Sequence, residues 1–336
     1  MIYSFIIPHY NLPRLLRRCV DSIPKRDDVE IIVVDDCSDN RYRSDIYTIR
    51  DSYSNLRLIE LNENKGGGYA RNQGLKYATG KWVIFADSDD FFNYCINQIL
   101  DEYADAPEDL IFFKTNSVDC ETYENTNRTI LSSNSYIDLW FHNPNEAEDK
   151  LRYLHGVPVS KMIKRTLIEN HKLKFDTTRI HNDTTFTYLS GHHATKIAAD
   201  RRCLYCATTR IGSVSKQKGI QHQLTTIDIL GRGVVFFHKI GKRYFEDYLA
   251  ANLYLLLKAK DYVNFDIAIK RLSDIGLSQI ETNVLLAHEM GKYSPKSLIN
   301  CILHAPSVKF FVVGIRTLFY YSLPYHIIKS KINKAK

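Results

Sequence analysis

The sequence contains no long hydrophobic run. Nowhere in its 336 residues do about 18 apolar residues follow one another without interruption, the length that a membrane-spanning helix needs. The opening residues MIYSFIIPHYN carry no basic leader and only a short apolar stretch, which is typical of a first strand and not of a secretory signal. We therefore predict a chain without a transmembrane helix.

Cysteines are few and irregularly spaced. The seven cysteines do not form the pairs of a disulfide framework, which predicts a reducing compartment. One close pair, Cys203 and Cys206, lies in the segment RRCLYCATTR. No second pair or histidine cluster accompanies it, and its neighbours alternate as in a strand. We therefore interpret the two residues as core thiols and not as a redox pair or half of a zinc site.

Strand and helix patterns alternate through the first third of the chain. Apolar runs predict strands at YSFIIP, VEIIVVDD, LRLIELN, KWVIFAD and DLIFFKT, and helical spacing predicts helices in LPRLLRRCVDSI, YRSDIYTIRDSY and GYARNQGLKYAT, the last ended by Gly80. This alternation is typical of an α/β protein with a parallel, doubly wound sheet. Ligands bind such sheets beyond the carboxyl ends of the strands, where VEIIVVDD and KWVIFADSDD place their acids.

The later sequence predicts further regions. Residues 116–145 are rich in Asn, Ser and Thr and are predicted as loops or a small excursion from the fold, whereas the pattern after about residue 216 is mostly helical. We predict an α/β domain over residues 1–215, a helical extension over 216–300 and a basic amphipathic tail over 301–336.

The acidic segment FADSDDFF, residues 85–92, follows an apolar strand. Carboxylates this close repel one another unless a cation or solvent lies between them. A hard ion such as Mn²⁺ or Mg²⁺ takes oxygen ligands and bridges to phosphate. Alternate residues of an extended segment face opposite sides, so Asp87 and Asp89 share a face. A solvated acidic turn without a ligand is the other interpretation.

Two further segments are candidates for ligand contact. In VVDDCSDN an aspartate follows a buried strand, where it either accepts hydrogen bonds from a base or ribose or starts an Asx turn. In NENKGGGYARNQG three consecutive glycines allow a close approach of the backbone to a ligand, with Arg71 placed to pair with a diphosphate; a flexible loop before a helix is the alternative. The spacing fits neither a dinucleotide fingerprint nor a Walker loop.

In this order and spacing, IIPHYN, VVDDCSDN, NKGGGYARNQG and FADSDD resemble glycosyltransferase family 2, the large inverting family with the GT-A fold. The resemblance covers residues 1–215 and is strongest near the start. It implies a GT-A fold with a C-terminal helical extension. It also implies a hexosyl- or N-acetylhexosaminyltransferase of bacterial surface-polysaccharide assembly, which uses a nucleotide-sugar donor, by family habit a UDP-sugar, and a divalent cation, Mn²⁺ or Mg²⁺.

The resemblance implies roles for residues that bind the nucleotide. Tyr10 matches the residue that stacks on the donor base, and Pro8 shapes the same wall. Asp36 matches the acid that accepts a hydrogen bond from uracil. Arg71 lies in the family's ARN element near the diphosphate.

The resemblance also implies roles for the residues of the DxD motif, which is Asp87-Ser88-Asp89 in this sequence. Asp87 is expected on the ribose side, Ser88 is assigned to the donor site, and Asp89 matches the metal ligand. Asp90 is an extra acid whose role is less fixed.

An inverting transfer needs a general base, because a sugar hydroxyl is a poor nucleophile near neutral pH. In the family the base is an aspartate preceded by Glu and followed by an aromatic residue. In FDTTRIHNDTTFTYLSG, Asp183 with Phe186 fits this pattern, and Asn182 stands where the family has Glu. A carboxylate that stabilises a helix N-terminus is the other interpretation of Asp183.

Three further positions are candidates. Lys161 matches a frequently basic or polar family position before the acceptor helix, although a surface lysine would look the same. Arg210 and Ser213, in TTRIGSVSK, follow the last core strand, where they could approach phosphate.

Most of the net charge of +7 lies in the tail, since residues 305–336 contain six basic residues and no acidic one. Bulky apolar residues mixed with Lys309 and Arg316 are typical of a helix in a membrane interface, or of an amphipathic helix docked on the protein's own core. Nucleic acid is not an expected partner. We predict a cytoplasmic protein with a glycan or lipid-linked sugar acceptor, and peripheral contact with the cytoplasmic face of the membrane is one interpretation of the tail.

Two other functions share parts of this pattern. A sugar nucleotidyltransferase uses a related scaffold, but usually carries a glycine-rich N-terminal phosphate loop with basic residues, which IIPHYN lacks. A nucleotide-sugar-binding module without activity would keep the fold and lose the base, whereas Asp36, Asp89 and Asp183 are all present.

Overall fold

The computed structural model describes residues 1–210 and 219–279 and, beyond these, residues 281–283, 285, 286 and 289. Contacts divide the chain into two units, Met1–Lys216 and a second that begins at residue 217. Ser213 and the predicted tail over 301–336 lie outside the described residues.

The first half of the first unit alternates strands with helices, as the sequence predicts. It contains β1 (Tyr3–His9), α1 (Pro13–Asp21), β2 (Val29–Asp35), α2 (Arg43–Asp51), β3 (Leu56–Glu60), α3 (Gly67–Leu75) and β4 (Trp82–Phe85). The strands β1, β2 and β4 are buried along almost their whole length. Their continuous apolar sequences follow from this burial, because helices cover both faces of a doubly wound sheet.

The second half is less regular. It contains β5 (Phe91–Phe92), α4 (Ile96–Tyr103), β6 (Leu110–Asp119), α5 (Asn134–Trp140), α6 (Pro144–Leu154), β7 (Lys161–Lys164), α7 (Arg165–Asn170), α8 (Thr184–His193) and β8 (Ile197–Thr209). Of the two alternatives for residues 116–145, loops are wrong for the end of β6, for α5 and for the start of α6. The side chain of Asn143 accepts from the Glu146 amide and caps α6, so a polar residue here starts a helix.

The eight strands of the described residues form one sheet in the order β3-β2-β1-β4-β7-β6-β8-β5. β1 pairs in parallel with β2 and β4, β2 with β3, and β6 with β8. β7 runs antiparallel to β4 and β6, and β5 antiparallel to β8. The predicted α/β class with a mostly parallel sheet is confirmed, and β7 joins its two parallel parts.

Alternate residues of the central strands point to opposite faces of the sheet. Phe5 of β1 packs in one apolar cluster with Leu16 of α1, whereas Ile6 packs in another with Ala70 of α3 and Phe186 of α8. Two cores therefore enclose the sheet, and the polar residues collect beyond the strand ends.

The helix after the glycine run is shorter than predicted. α3 ends at Leu75, so Gly80 is not its C-cap. Gly80 lies against β1 instead, where an added Cβ would come within 2.7 Å of the Ser4 backbone nitrogen. The position requires a glycine because of this close approach.

The second unit is helical where it is described. It contains α9 (Ile220–Lys239), α10 (Glu246–Lys258) and α11 (Tyr262–Asp274), which share an apolar core that includes Leu224, Leu253 and Phe265. Within the described parts of the chain, no helix combines the length and the apolar composition that a membrane crossing requires. The six cysteines of these parts are free thiols.

Candidate active site

Three neighbouring parallel strands bring the predicted donor-site residues to one edge of the sheet. Tyr10 follows β1, Asp36 follows β2, and Asp87 comes shortly after β4. Because β1 lies between β2 and β4 and adjacent strands lie about 4.8 Å apart, the three residues occupy adjacent strand ends. Tyr10 is 44% exposed, so its ring is accessible. Pro8, within β1, is partly exposed.

Hydrogen bonds between β1 and β2 fix this edge. His9 Nδ1 lies 2.7 Å from Asp35 Oδ1, and both side chains are buried. The Leu12 amide donates to His9 Nε2 at 3.1 Å, so the ring proton is on Nδ1 and is donated to Asp35. Burial raises the pKa of Asp35, but hydrogen bonds from His9 and Ser38 outweigh it, and the pKa lies below its ordinary value. Asp35 is therefore an ionised anchor of the two strand ends.

Asp36 holds the glycine-rich loop. Its two carboxylate oxygens accept from the backbone amides of Lys65 at 2.8 Å and Gly66 at 2.7 Å. Gly66 has a φ of +86°, which favours glycine, and it directly precedes α3. Burial raises the pKa of Asp36 by more than the two amide bonds lower it. A contact between Asp36 and a base would therefore use the lone pairs that the loop leaves unused.

Arg71 of α3 connects the acidic turn to the segment that carries the predicted base. Its Nη2 donates to Asp87 Oδ1 at 2.5 Å, and its Nη1 donates to Asn182 Oδ1 at 3.0 Å. The guanidinium carbon lies 5.3 Å from the centre of the Phe175 ring, and Arg71 is 7% exposed. Asn182, which replaces the family's Glu, thus still supplies a side-chain acceptor to this arginine.

Gly68 makes this connection possible. A Cβ at this position would lie 2.0 Å from the Asp176 carbonyl oxygen and 2.8 Å from Asn182 Cβ. The start of α3 therefore packs directly against the segment that precedes Asp183. At Gly68, the close approach that we predicted for a ligand is an approach to another part of the protein.

Asp90 anchors the acidic turn to β8. It is 2% exposed, and its carboxylate accepts from the Tyr205 hydroxyl at 2.8 Å and from the Thr208 amide at 2.6 Å. The Tyr205 hydroxyl accepts in turn from the Asp87 amide at 2.9 Å. Burial, together with the negative charges of Asp89 and Asp87, raises the pKa of Asp90 well above its ordinary value. The extra acid therefore supports the turn from inside the protein.

Asp89 lies on the same turn and pairs with Arg210, which follows β8. Arg210 Nε donates to Asp89 Oδ2 at 2.6 Å, and both side chains are about one-fifth exposed. Among the described residues, none donates a hydrogen bond to the second oxygen, Oδ1. The predicted metal ligand and one predicted phosphate ligand are thus direct neighbours.

Asp183 directly precedes α8 and lines a cavity of about 800 Å³. Asp87 and Asp90 from the acidic turn line the same cavity, together with Arg128 and Arg210. Residues that are about 100 positions apart in the sequence therefore share one space at the edge of the sheet.

The carboxylate of Asp183 is not used by its own helix. It makes no cap hydrogen bond to α8, and no side chain in the described residues donates to it. Burial raises the pKa of Asp183, and the positive charge of Arg71 offsets only part of this effect. Such a carboxylate is a stronger base than an ordinary aspartate, which favours the role of base over that of a helix cap.

Some predicted residues lie outside the walls of this cavity. Asp36 and Asp89 lie at the neighbouring strand ends, and Ser88 is 7% exposed. Lys161 is 2% exposed, and its Nζ donates to the His155 carbonyl at 2.7 Å. Lys161 therefore faces the protein interior and not an acceptor.

A second cavity, of about 930 Å³, shares Arg210 with the first. Its walls consist mainly of residues of α1, α2 and the loop after β6, and they contain none of the predicted acids of the site. The smaller cavity, in contrast, is lined by both Asp87 and Asp183.

Sequence reasoning missed three residues that shape the site. His9 ends the apolar strand β1, and the neighbouring strand β2 ends in Asp35. The contact between the two side chains could have been predicted from these strand ends. Tyr205 gave no local signal, because its partner Asp90 is 115 positions away. Arg128 lies in a polar stretch without a motif, although it lines the cavity.

Comparison with known proteins identifies related sequences. A model of the family Glycosyl transferase family 2 matches residues 4–171, half of the chain. The poly(ribitol-phosphate) beta-N-acetylglucosaminyltransferase TarS of Staphylococcus aureus is 38% identical over 98 residues. This match covers 28% of the present chain and 17% of TarS, so the chain spans less than one-fifth of that relative.

Solved structures show the same fold. The structure of S. aureus TarS 1–349 with UDP-GlcNAc has a TM-score of 0.60 at 18% identity, and the comparison covers 100% of this chain and 93% of that one. The mannosyltransferase PcManGT from Pyrobaculum calidifontis, solved with GDP-Man and Mn²⁺, has a TM-score of 0.51 at 17% identity and coverage of 95% and 85%. Both likenesses concern the fold, which is of the GT-A type. With a family model that extends from β1 to the end of α7, the chain belongs to glycosyl transferase family 2.

Proposed function

We propose that this protein is an inverting glycosyltransferase that moves a sugar from a UDP-sugar to a hydroxyl group of an acceptor glycan. One observation carries the proposal: Asp87, from the acidic turn after β4, and the unengaged carboxylate of Asp183 line the same cavity of about 800 Å³. A nucleotide bound at the ends of β1, β2 and β4 would place its sugar in this cavity, between the diphosphate and the base.

Asp183 acts as the general base. As the acceptor oxygen attacks the anomeric carbon, its proton passes to the Asp183 carboxylate. The bond from the anomeric carbon to the diphosphate oxygen breaks on the opposite face, and its electron pair leaves on the diphosphate. The sugar is transferred with inversion, and no covalent sugar-protein intermediate forms. The raised pKa of Asp183, caused by burial, strengthens the base for this step.

The donor contacts are assigned to the strand ends, with the residues Pro8, Tyr10, Asp36, Arg71, Asp87 and Ser88. The exposed ring of Tyr10 suits stacking on a base. Arg71 already donates a hydrogen bond to Asp87, so it would orient this acid as well as pair with the diphosphate.

We assign a divalent cation, Mn²⁺ or Mg²⁺, to Asp89. The side chains of the turn offer only oxygen ligands, which suit a hard ion, and Oδ1 of Asp89 has no hydrogen bond from the described residues. These residues contain no group of three His, Cys, Asp or Glu side chains that could hold a metal ion, so diphosphate oxygens would complete the ligand set. When bound, the ion neutralises the charge of the leaving diphosphate.

The acceptor in this proposal is a cell-surface polymer. TarS is named for transfer of N-acetylglucosamine to poly(ribitol phosphate). A phosphate-bearing acceptor would meet positive charge in the present cavity, because Arg128 and Arg210 line it. Arg128 is held in place by donation from Nη1 to the Thr208 carbonyl at 2.8 Å.

The tail is proposed to bring the protein to the cytoplasmic face of a membrane, where lipid-linked acceptors would be met. The support is its sequence, since residues 305–336 carry six basic residues and no acidic one. Removal of these residues should move the protein from the membrane fraction to the supernatant. Unchanged fractionation would contradict this part of the proposal.

Donor binding tests the main proposal without knowledge of the acceptor. We expect UDP-GlcNAc or UDP-glucose to raise the unfolding temperature in the presence of Mn²⁺; a donor at 100 times its Kd adds about 2.7 kcal/mol to the free energy of unfolding. The shift should disappear in Asp89→Ala and persist in Asp45→Ala, which changes an exposed acid on α2. No shift with any nucleotide-sugar would overturn the donor assignment, and an equal shift without metal would overturn the role of the cation.

A further inference from the structure

A lysine is buried behind the wall of the cavity. Lys161 begins β7, and its Nζ contacts the His155 carbonyl at 2.7 Å and lies 5.1 Å from the centre of the Phe112 ring. His155 directly precedes the segment 156–159, which lines the cavity. The ammonium group therefore contacts the residue that adjoins this segment, and Asp183 lines the same cavity.

Within the described parts of the chain, no neighbour of Lys161 neutralises its charge through an ion pair. Removal of an ammonium group from water is unfavourable unless an anion compensates it. Among the described residues, no carboxylate forms an ion pair with Lys161. His155 is buried too, and burial together with the Lys161 charge lowers the pKa of His155 well below its ordinary value, so that it stays neutral. A glutamine could donate to the His155 carbonyl without this charge, so the hydrogen bond alone does not account for a lysine.

The negative charge that Lys161 does meet is that of Asp183. Burial lowers the pKa of Lys161 to about 7, and the charge of Asp183 acts against this decrease. Conversely, Arg71 and Lys161 are the positive charges that lower the pKa of Asp183, against burial and the charge of Asp87. Arg71 already binds Asp87 and Asn182, whereas Asp183 is the one described carboxylate whose charge acts on Lys161.

We propose that Lys161 is a positioning residue for the base: its buried ammonium group keeps the Asp183 carboxylate ionised and ready to accept the acceptor proton. This inference rests on the proposed function, because it concerns the base of that reaction. Lys161 itself touches neither substrate nor the reacting atoms.

The direction of the pH dependence follows from the charges of Lys161 and Asp183. Lys161 is charged below a pH of about 7 and loses its proton as the pH rises through this value. Its influence on Asp183 is therefore present on the acid side and fades on the alkaline side. Without Lys161, the pKa of Asp183 rises, and the enzyme loses activity at a higher pH as the solution is made more acidic.

The direct test is a carbon NMR titration of the Asp183 carboxyl group. The protein is labelled with ¹³C-aspartate, and the Asp183 signal is assigned by its absence in Asp183→Asn. We expect Lys161→Met and Lys161→Gln to shift its titration to higher pH. Gln can keep an N–H donor for the His155 carbonyl without the charge, so equal behaviour of the two variants would assign the effect to the charge. An unchanged titration would overturn the proposal.

Lys164→Met is the matched control. Lys164 lies on the same strand, donates to the Pro107 carbonyl at 2.7 Å and lies 5.8 Å from the centre of the Trp82 ring. It differs in its ion pair with Asp109, and the carbonyl that it contacts, that of Pro107, is not next to a segment that lines the cavity. Its substitution should leave the Asp183 titration unchanged.

Enzyme kinetics provide the second readout. With UDP release from UDP-GlcNAc as the assay, kcat/KM of Lys161→Met should fall severalfold at about pH 5.5 and approach the parent value at about pH 8.5, on either side of the Lys161 pKa of about 7. A loss of equal size at every pH would indicate a merely structural role and overturn the inference. If Asp183→Asn remains active, the proposed function itself fails; if it is inactive and the Lys161 profiles are flat, only this inference fails.

Discussion

The acids at the strand ends and the acid before α8 are held in opposite ways. Asp35, Asp36 and Asp90 each accept at least two hydrogen bonds from neighbours that fix their orientation. Asp183 accepts none from the described side chains, although it lies in the same part of the fold. The first group shapes the edge of the sheet, whereas the Asp183 carboxylate has no such side-chain partner among the described residues.

This difference separates stability from activity. Residues whose carboxylates are fully engaged should affect the free energy of unfolding when they are changed. A residue whose carboxylate is unengaged should affect turnover while the fold remains as stable as before. Four substitutions test the comparison, from the largest expected effect to the smallest.

Asp183→Asn should have the largest effect, and only on turnover. Loss of a general base lowers the rate by about 10²- to 10⁴-fold. The unfolding temperature and the affinity for the nucleotide-sugar should stay close to those of the parent, because no described side chain donates a hydrogen bond to the carboxylate. UDP release and thermal unfolding measure the two quantities. A variant with near-normal turnover would remove Asp183 from the role of base.

Asp90→Ala should act mainly on stability. It leaves the Tyr205 hydroxyl and the Thr208 amide without their buried acceptor, which costs about 2–4 kcal/mol of unfolding free energy. Asp90→Asn keeps one acceptor oxygen and should lose less. Urea denaturation of the two variants measures the difference. Equal stability of Asp90→Ala and the parent would show that the turn does not depend on this buried acid.

Asp35→Asn should lower the free energy of unfolding by an amount that depends on pH. We expect a loss of about 1–2 kcal/mol near neutral pH, because the bonds from His9 and Ser38 favour the ionised carboxyl group. The folded pKa of Asp35 lies below its ordinary value, so this stabilisation is present above the unfolded pKa and is lost as the pH falls through the folded one. Denaturation curves of parent and variant should therefore converge in acid. Curves that diverge in acid would contradict this sign.

Asn182→Ala should have the smallest effect, about 1 kcal/mol of unfolding free energy, because Arg71 loses one acceptor and keeps Asp87. Turnover should fall only slightly, because Asp183 is still present and still directly precedes α8. Chemical denaturation and UDP release check both. A loss of turnover as large as that of Asp183→Asn would mean that Asn182, and not Asp183 alone, carries the acceptor side.

Local patterns predicted the parallel half of the fold and the acids at its edge. Apolar runs that end in acid, such as those before Asp36 and Asp87, contain both the strand and the site in a few adjacent residues. The family resemblance then supplied Asp183, which adjoins Asn182 despite the change from the expected Glu. These predictions needed no information about distant contacts.

Long-range contacts set the limit of sequence reasoning. Arg71 meets Asn182 across 111 positions, and Tyr205 meets Asp90 across 115. Neither pair leaves a periodic signal in the sequence. The burial of Lys161 is equally invisible, because a lysine in a short strand has the same pattern whether it faces solvent or the interior. Helix α5 was missed because Asn and Ser residues favour loops and helix starts alike.

The contact at Gly68 links two stretches of the chain that would otherwise vary independently. The first turn of α3 and the segment that precedes Asp183 are in direct contact at this point. A single added methyl group would therefore force one of them to move. A chimera that takes the segment before Asp183 from another family member would therefore also need the glycine-rich loop of that protein. Chimeras that exchange only one of the two segments should misplace Asp183.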